Sequence, residues 1–296
     1  AVAVIVGSMV LEESKAPGRG RLDVWGAVTV TLGFGSLVYG FTLAEAGWLR
    51  ADTLGFLAGG VLLLALFVWI ESRVAHPLLP LRVVMHRVRA GAYLIQAIIG
   101  SVLIGTTLYM TLHLQLVLGM APLMAGLATV VMTVSTLVVV PVFTRLLAVS
   151  GPRPLMVGGP LLAAAGMVWL GRITADGNYV TQMLPGLILL GAGIGITFVP
   201  LQNLALIGVA PADAGAASAT VNASMQLGGS VGLSLFALVA ASATATAQSA
   251  GEGVSASLAA GYGLVFTSAA IALLVAAAVA FICIRGTKEG LMPSHA

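Results

Sequence analysis

Two amide side chains lie one helical turn apart in a run of the sequence that is otherwise apolar. The run NASMQLGGSVGLSLF, residues 222–236, carries Asn222 and Gln226 together with several glycines. Residues spaced by four project from the same face of a helix. Because an amide both donates and accepts hydrogen bonds, the spacing predicts either a polar strip facing a water-filled or substrate-filled cavity or a pair of interhelical hydrogen bonds.

Three further amides, Gln96, Gln202 and Asn203, are predicted at a similar depth. Gln96 follows the start of its apolar stretch by about two helical turns, while Gln202 and Asn203 come near the end of theirs. All three amides are therefore predicted in the same half of the membrane as Asn222 and Gln226. We predict that these five amides either line one substrate pathway or form interhelical hydrogen bonds, which contribute about 0.6 kcal/mol each.

One stretch matches the residue pattern of a catalytic motif but lacks the structural context that the motif needs. Residues 228–232, GGSVG, match the G-x-S-x-G nucleophile elbow, which needs a strand, a turn and a helix around the serine, and histidine and acid partners. The run instead reads as one continuous apolar helix, and the acidic residues fall in loops or at the ends of the apolar stretches. We therefore predict no enzyme and no cofactor, and an intramembrane serine hydrolase using Ser230 is the remote alternative.

Polar residues also gather where the third apolar stretch ends. Tyr109, His113 and Gln115 lie there at helical spacing. Aromatic and polar side chains are enriched at membrane–water interfaces. The sequence thus predicts that these three side chains are interfacial, with a binding role as the alternative.

The composition identifies the solvent of the chain as lipid. Of 296 residues, 59% are hydrophobic and 8% are charged, against about 25% charged in soluble domains. The mean hydropathy is +1.08, and the apolar stretches approach the roughly 20 residues that span a bilayer as a helix. We predict an all-α, polytopic transmembrane helix bundle. Its spans are approximately Val24–Leu43, Thr53–Ile70, Ala90–Leu112, Leu123–Val142, Leu155–Ile173, Met183–Leu206, Ala216–Ala240 and Leu258–Ile284.

The basic residues predict the orientation of these spans. Numbered alternately, the connections on one side hold eleven of the thirteen Lys and Arg residues, and those on the other side hold only Arg50 and Arg172. Basic loops remain in the cytoplasm, so the C-terminus is predicted to be cytoplasmic. The charges are scattered over short loops rather than clustered in a stripe, which argues against nucleic-acid binding.

The order of the spans predicts the domain organisation. Residues 1–23 read as the tail of a truncated transmembrane helix and a cytoplasmic loop, 24–72 as a two-helix hairpin, 73–89 as a cytoplasmic linker, 90–286 as a six-helix bundle and 287–296 as a cytoplasmic tail. Small residues let membrane helices approach closely. The pairs Gly191 with Gly195 and Gly228 with Gly232, each in a G-x-x-x-G pattern, are therefore predicted to pack helices together.

Several segments taken in order resemble a known family. LPLRVV, LHLQLVLGMAPLMAGL, SGPRPLMVGG, LLGAGIGITFVPL and PADAGAASATVNASMQLGGSVG are similar to the fourteen-span drug:proton antiporters of the EmrB/QacA type, within the major facilitator superfamily. The resemblance implies that residues 24–70 are the two extra helices of that family and residues 90–284 its C-terminal bundle. It further implies a missing N-terminal six-helix half.

The resemblance also implies a function. The complete protein would sit in a bacterial cytoplasmic membrane and export amphipathic small molecules by alternating access, driven by the proton gradient. Gly151 and Arg153 match the family's cytoplasmic gating loop, but Ala148 and Val149 replace its acid and base, and Met225 stands where many relatives have arginine. A polytopic scaffold or sensor without transport is the alternative from another functional class.

Overall fold

The computed structural model describes residues 23–44, 46–74, 85–210 and 213–284, and eight helices within these ranges are long and apolar enough to cross a membrane. The helices are α1 Val24–Ala44, α2 Ala51–Glu71, α3 Arg87–Leu112, α4 Pro122–Ser150, α5 Pro152–Leu170, α6 Leu184–Ala205, α7 Ala214–Ser249 and α8 Val254–Cys283. A π-helical turn, His113–Val117, extends α3, and a second one, Tyr179–Met183, precedes α6. The predicted all-α polytopic bundle is confirmed.

Parts of the predicted organisation lie outside the described residues. They are the truncated helix and loop at 1–22, the middle of the linker at 75–84 and the C-terminal tail from 285 onward.

Two helices run further than their hydropathy predicts. Hydropathy places the ends of α4 and α7 at Val142 and Ala240, whereas the helices end at Ser150 and Ser249. Each continues through less apolar residues until a glycine with positive φ, Gly151 at 77° or Gly251 at 86°, stops it. Glycine adopts this left-handed conformation without steric cost and so ends helices. The turn residue, not the fall in hydropathy, sets these boundaries.

The core forms where α8 meets three other helices. It packs against α3, α5 and α7, while α6 joins α4 and α5 to this group. Ile95 and Ile99 of α3 and Phe266 of α8 are fully buried there. Helix α4 is the exception: among its residues only Ala125 and Leu147 are buried, so most of its surface is left uncovered by the described part of the chain.

Glycines determine how closely the helices cross. A Cβ at Gly228 would collide with the Ala97 backbone of α3, and one at Gly232 with Ser101 of the same helix. Likewise Gly191 and Gly195 lie directly against the α4 backbone at Met132 and Thr136. The main chains of α7 and α3, and of α6 and α4, therefore approach within contact distance, as small residues in membrane helices permit.

Arginines cap helix ends at one end of the bundle, hereafter the basic end. The Arg87 guanidinium donates to the Ile282 carbonyl of α8 at 2.8 Å, and that of Arg89 to the Ile207 carbonyl after α6 at 2.6 Å. Arg153 also donates to α8, to the Phe281 carbonyl at 3.4 Å. Cations near a helix C-terminus satisfy its last carbonyls and favour its dipole. The starts of α3 and α5 thus lie beside the ends of α6 and α8, as alternating spans require.

The hairpin of α1 and α2 leans against α7. Its two helices meet through Gly40 and Gly60, which face Leu57 and Leu37 respectively. The Ser36 hydroxyl donates across the pair to the Phe56 carbonyl at 2.8 Å. Helix α1 then contacts α7, so the hairpin adds a wall beside the six-helix group.

Replacing Thr136 with valine is expected to weaken the contact between α4 and α6. The Thr136 hydroxyl lies 2.8 Å from the Gly191 carbonyl of α6 and 3.0 Å from the Met132 carbonyl of its own helix. Interhelical hydrogen bonds in membranes contribute about 0.6 kcal/mol. Thr129 of α4 bonds to the Gly126 carbonyl of its own helix, so Thr129→Val is the matched control. Thermal unfolding of the purified protein should show a lower apparent Tm for Thr136→Val alone; equal Tm values for the two variants would contradict the interhelical role.

Candidate functional site

Helix α7 has four different surfaces, and this division organises the candidate site. One surface packs on α3 through Gly228 and Gly232. A second faces the α1–α2 hairpin, a third packs on α8, and the fourth remains exposed. Because the helix from Ala214 to Ser249 contains no charged residue, any recognition by α7 uses hydrogen bonds and apolar contact rather than ion pairing.

The exposed surface carries what we call the polar strip: Ser218, Asn222, Gln226 and Ser230. These residues recur every four positions, so they lie one above the next along α7. The Asn222 amide donates to the Ser218 carbonyl at 3.1 Å, and the Ser230 hydroxyl to the Gln226 carbonyl at 3.0 Å. Asn222 and Gln226 are both exposed, so the Asn222 side-chain oxygen and the Gln226 side-chain amide are open to a ligand.

An apolar groove of about 430 Å³ lies between the hairpin and α7. Phe34 of α1 and Phe67 of α2 form one wall, and Ala223 and Leu227 of α7 belong to the other. The volume falls in the range of small-molecule pockets, which are mostly apolar with few polar groups.

Hydroxyl groups in the groove do not make it polar. Three hydroxyl residues, Thr31, Thr220 and Ser224, line it, and the hydroxyls of the last two donate to the carbonyls of Ala216 and Thr220 in their own helix, at 2.8 and 2.7 Å. Hydroxyls bonded back to their own helix have used their donors. The groove therefore offers mainly hydrocarbon to an occupant.

The polar strip and the groove are neighbouring rows of one helix. Asn222 and Gln226 belong to the strip, while the residues directly after them, Ala223 and Leu227, belong to the groove. Successive residues of a helix are about 100° apart. An amphipathic molecule can therefore place its apolar part in the groove and its polar part against the amides.

The other predicted amides are placed differently. Gln202 and Asn203 are exposed near the end of α6. Gln96 is only 2% exposed, and it lies about 200° around α3 from the exposed Leu94, so it faces the interior of the bundle. Its side-chain oxygen is buried without a hydrogen-bond partner among the described residues. The structure brings Asn222 and Gln226 together and leaves Gln96 on the inner side of a different helix.

One of the two predicted gating residues contacts α8. Gly151, with φ 77°, separates α4 from α5. Arg153 follows it and lies 4.8 Å from the centre of the Phe281 ring, in addition to its bond to the Phe281 carbonyl. In this conformation Arg153 holds the start of α5 to the end of α8.

The hydrolase motif lacks the context it needs. Ser230 lies inside the uninterrupted helix α7, and its hydroxyl donates to the Gln226 carbonyl of that helix. A nucleophile elbow requires a sharp turn between a strand and a helix. Within the described ranges, no three His, Cys, Asp or Glu side chains are grouped closely enough to hold a metal ion.

Two of the three side chains predicted to be interfacial are buried within the bundle. The sequence places Tyr109 and His113 at the membrane interface, but they are 6% and 1% exposed; Gln115 is half-buried. Both buried rings pack on Tyr262 of α8, at centroid distances of 5.6 Å for Tyr109 and 6.4 Å for His113. The end of α3 is covered by α8, and hydropathy along a single helix contains no information about that neighbour.

Comparison with known proteins identifies homologues in drug resistance and export. The chain is 39% identical to the puromycin resistance protein pur8 of Streptomyces alboniger over 243 residues, which cover 81% of this chain and 48% of that protein. It is 36% identical to the cephamycin export protein CmcT of Amycolatopsis lactamdurans, with coverages of 75% and 46%. It is 31% identical to the tetracenomycin C resistance and export protein of Streptomyces glaucescens, with coverages of 80% and 44%.

These similarities extend over only part of each relative. The chain spans about half the length of the curated relatives it matches. No protein-family model matches the chain. The chain is a multi-pass membrane protein whose homologues are efflux and resistance proteins.

Proposed function

We propose that this chain is the C-terminal portion of a fourteen-span exporter of the major facilitator superfamily, of the EmrB/QacA type, and that its cargo is amphipathic small molecules. The observation that carries the proposal is the polar strip beside the apolar groove on α7. Such a pair of surfaces matches a molecule with one polar and one apolar side. The names of the relatives, which refer to resistance and export, support the same conclusion.

In this proposal α1 and α2 are the two extra helices and α3 to α8 form the C-terminal bundle. An upstream six-helix half would cover the polar strip and the bare surface of α4, where only Ala125 and Leu147 are buried. Since the chain matches about half of each relative, the length of the proposed partner half agrees with this arrangement. The pathway would lie between the two halves.

The transport cycle would be alternating access coupled to protons across a bacterial cytoplasmic membrane. The basic end would face the cytoplasm, because basic connections resist translocation. Helices α3 to α8 contain no Asp or Glu, so the intramembrane carboxylate that proton coupling usually needs would come from the upstream half.

Expression of the complete gene product in a host without its own exporters tests the proposal. We expect lower accumulation of puromycin, a cephamycin or tetracenomycin C, and loss of the effect when the proton gradient is collapsed. The 296-residue chain alone should confer no resistance, because one wall of the pathway would be missing. Accumulation unchanged by the complete protein, at normal membrane abundance, would favour a scaffold or sensor.

Exchanging Asn222 and Gln226 together for leucine should reduce export about ten-fold, since each amide hydrogen bond contributes about 0.5–1.5 kcal/mol and about 1.4 kcal/mol corresponds to a factor of ten. The matched control is Gln248→Leu, an exposed amide near the far end of the same helix. Initial export rates at equal membrane abundance provide the measurement. If the double variant exports like the control, the polar strip does not contact cargo.

A further inference from the structure

A buried histidine without a hydrogen-bond partner lies at the end of the bundle opposite the basic end. His113 is 1% exposed, and among the described residues neither of its ring nitrogens has a hydrogen-bond partner. Leaving a buried polar group unsatisfied costs about 1–3 kcal/mol. Apolar side chains would pack at this position without that cost, so the imidazole requires an explanation beyond packing.

The backbone at His113 is also unusual. Helix α3 changes there to a π-helical turn, in which the Leu118 N–H donates to the His113 carbonyl at 3.0 Å. Such turns are rare and often occur at functional sites. The π-helical turn places His113 against α8, with its ring at 83° to that of Tyr262.

In the described part of the chain, no charged side chain faces the imidazole from the helices packed around it. Helix α8 contains no charged residue. The only charged residues of α3 and α4 are Arg87 and Arg89 at the start of α3 and Arg145 near the end of α4, all towards the basic end. The nearby titratable groups are the phenols of Tyr109 and Tyr262. The charged residues in the loops at this end include three that are exposed: Arg172, Asp176 and Glu252.

These surroundings accommodate the neutral imidazole and disfavour the cation. Burying an ionised group without a counter-charge is costly, and the group loses its charge instead. Histidine is the side chain whose ordinary pKa lies nearest to neutral pH. A separation of α3 from α8 at this end would expose the ring to water, which would then supply the proton to a ring nitrogen.

We propose that His113 is a proton-binding site of the transport cycle, neutral while the ends of α3 and α8 are packed and protonated when they separate. This inference rests on the proposed alternating-access function, to which it adds an opening between two helices of the C-terminal bundle. The site is distinct from the upstream carboxylate of proton coupling. The packed state excludes the proton from His113 and the separated state binds it, so a falling pH favours separation of α3 from α8. For one proton the effect reaches at most about ten-fold per pH unit.

Cysteine accessibility in the complete protein, reconstituted in nanodiscs, measures this separation without any substrate. Ala259 of α8 is 2% exposed and lies one turn from Tyr262 on the same side of the helix, so Ala259→Cys reports opening. The background carries Cys283→Ser, with any upstream cysteine also replaced. Ser255→Cys, at an exposed position, is the reference that cancels the titration of the thiol itself.

The readout is the maleimide labelling rate of the Ala259→Cys variant divided by that of the Ser255→Cys variant. We expect this ratio to rise about ten-fold when the pH is lowered from about 7.5 to about 5.5. His113→Gln and His113→Phe should each abolish the rise, and His86→Gln, at an exposed histidine, should retain it. A pH-independent ratio in the protein with His113 intact overturns the proposal, even if both His113 variants fail to fold. A rise that persists in His113→Gln overturns it as well. Because no cargo is involved, loss of export alone would count against the proposed function and not against this site.

Discussion

Gly228→Leu is expected to prevent α7 from assembling with α3, with loss of the folded protein from the membrane. A Cβ at Gly228 would lie 2.6 Å from the Ala97 Cα and closer still to the Ala97 carbonyl oxygen. These are backbone atoms, which cannot rotate away as a side chain can. Even Gly228→Ala should destabilise the bundle, by the roughly 1–3 kcal/mol typical of overpacking.

Gly215→Ala is the matched control, because an added Cβ at this glycine of the same helix would meet no described atom within 4 Å beyond the surrounding turns of α7. Alanine is about 1 kcal/mol more favourable than glycine within a helix. The apparent Tm of the purified protein should therefore fall for Gly228→Ala and stay or rise for Gly215→Ala. Equal Tm values for the two variants would mean that α3 can move aside and that the close crossing is not required.

The helices were predictable because lipid imposes a simple requirement on each one. A spanning segment must satisfy its own backbone and present apolar side chains, so all eight spans can be recognised from stretches of apolar residues. The glycine pairs were also open to sequence reasoning, since Gly191 with Gly195 and Gly228 with Gly232 stand out at a spacing of four. Each of these predictions depends on properties of one segment.

The features that could not be predicted depend on which helix packs against each face of a given helix. The depth of Gln96 follows from its place along α3, but its direction towards the interior follows from the packing of other helices around α3. The burial of His113 could not be predicted for the same reason: its position near a helix end is evident from the sequence, and its cover by Tyr262 is not. The apolar groove beside the polar strip could not be predicted either, because it is formed by α1, α2 and α7, and α7 is distant in sequence from the other two helices.

The second large effect is expected at Arg89, whose bond to the Ile207 carbonyl joins residues 118 positions apart. Arg89 is 7% exposed, so Arg89→Met would leave that carbonyl without its charged donor. Hydrogen bonds to charged groups contribute about 1.5–3 kcal/mol. Arg87 is exposed and makes a similar bond to α8, where a cation at a helix end contributes about 0.3–1 kcal/mol. Arg89→Met should therefore lower the apparent Tm more than Arg87→Met.

The position of Arg89 links this stability to the polar strip. Ile207 and the positive-φ Gly208, where an added Cβ would lie 3.7 Å from the guanidinium, begin the connection from α6 to α7. We expect loss of the arginine to release Ile207 and Gly208, which precede α7, and thereby to disturb the start of the helix that carries Asn222 and Gln226. Export by Arg89→Met should then fall further than its membrane abundance does, and Arg89→Lys, which keeps a charged donor, should be intermediate in both. Export that falls only in proportion to abundance would limit Arg89 to a role in stability.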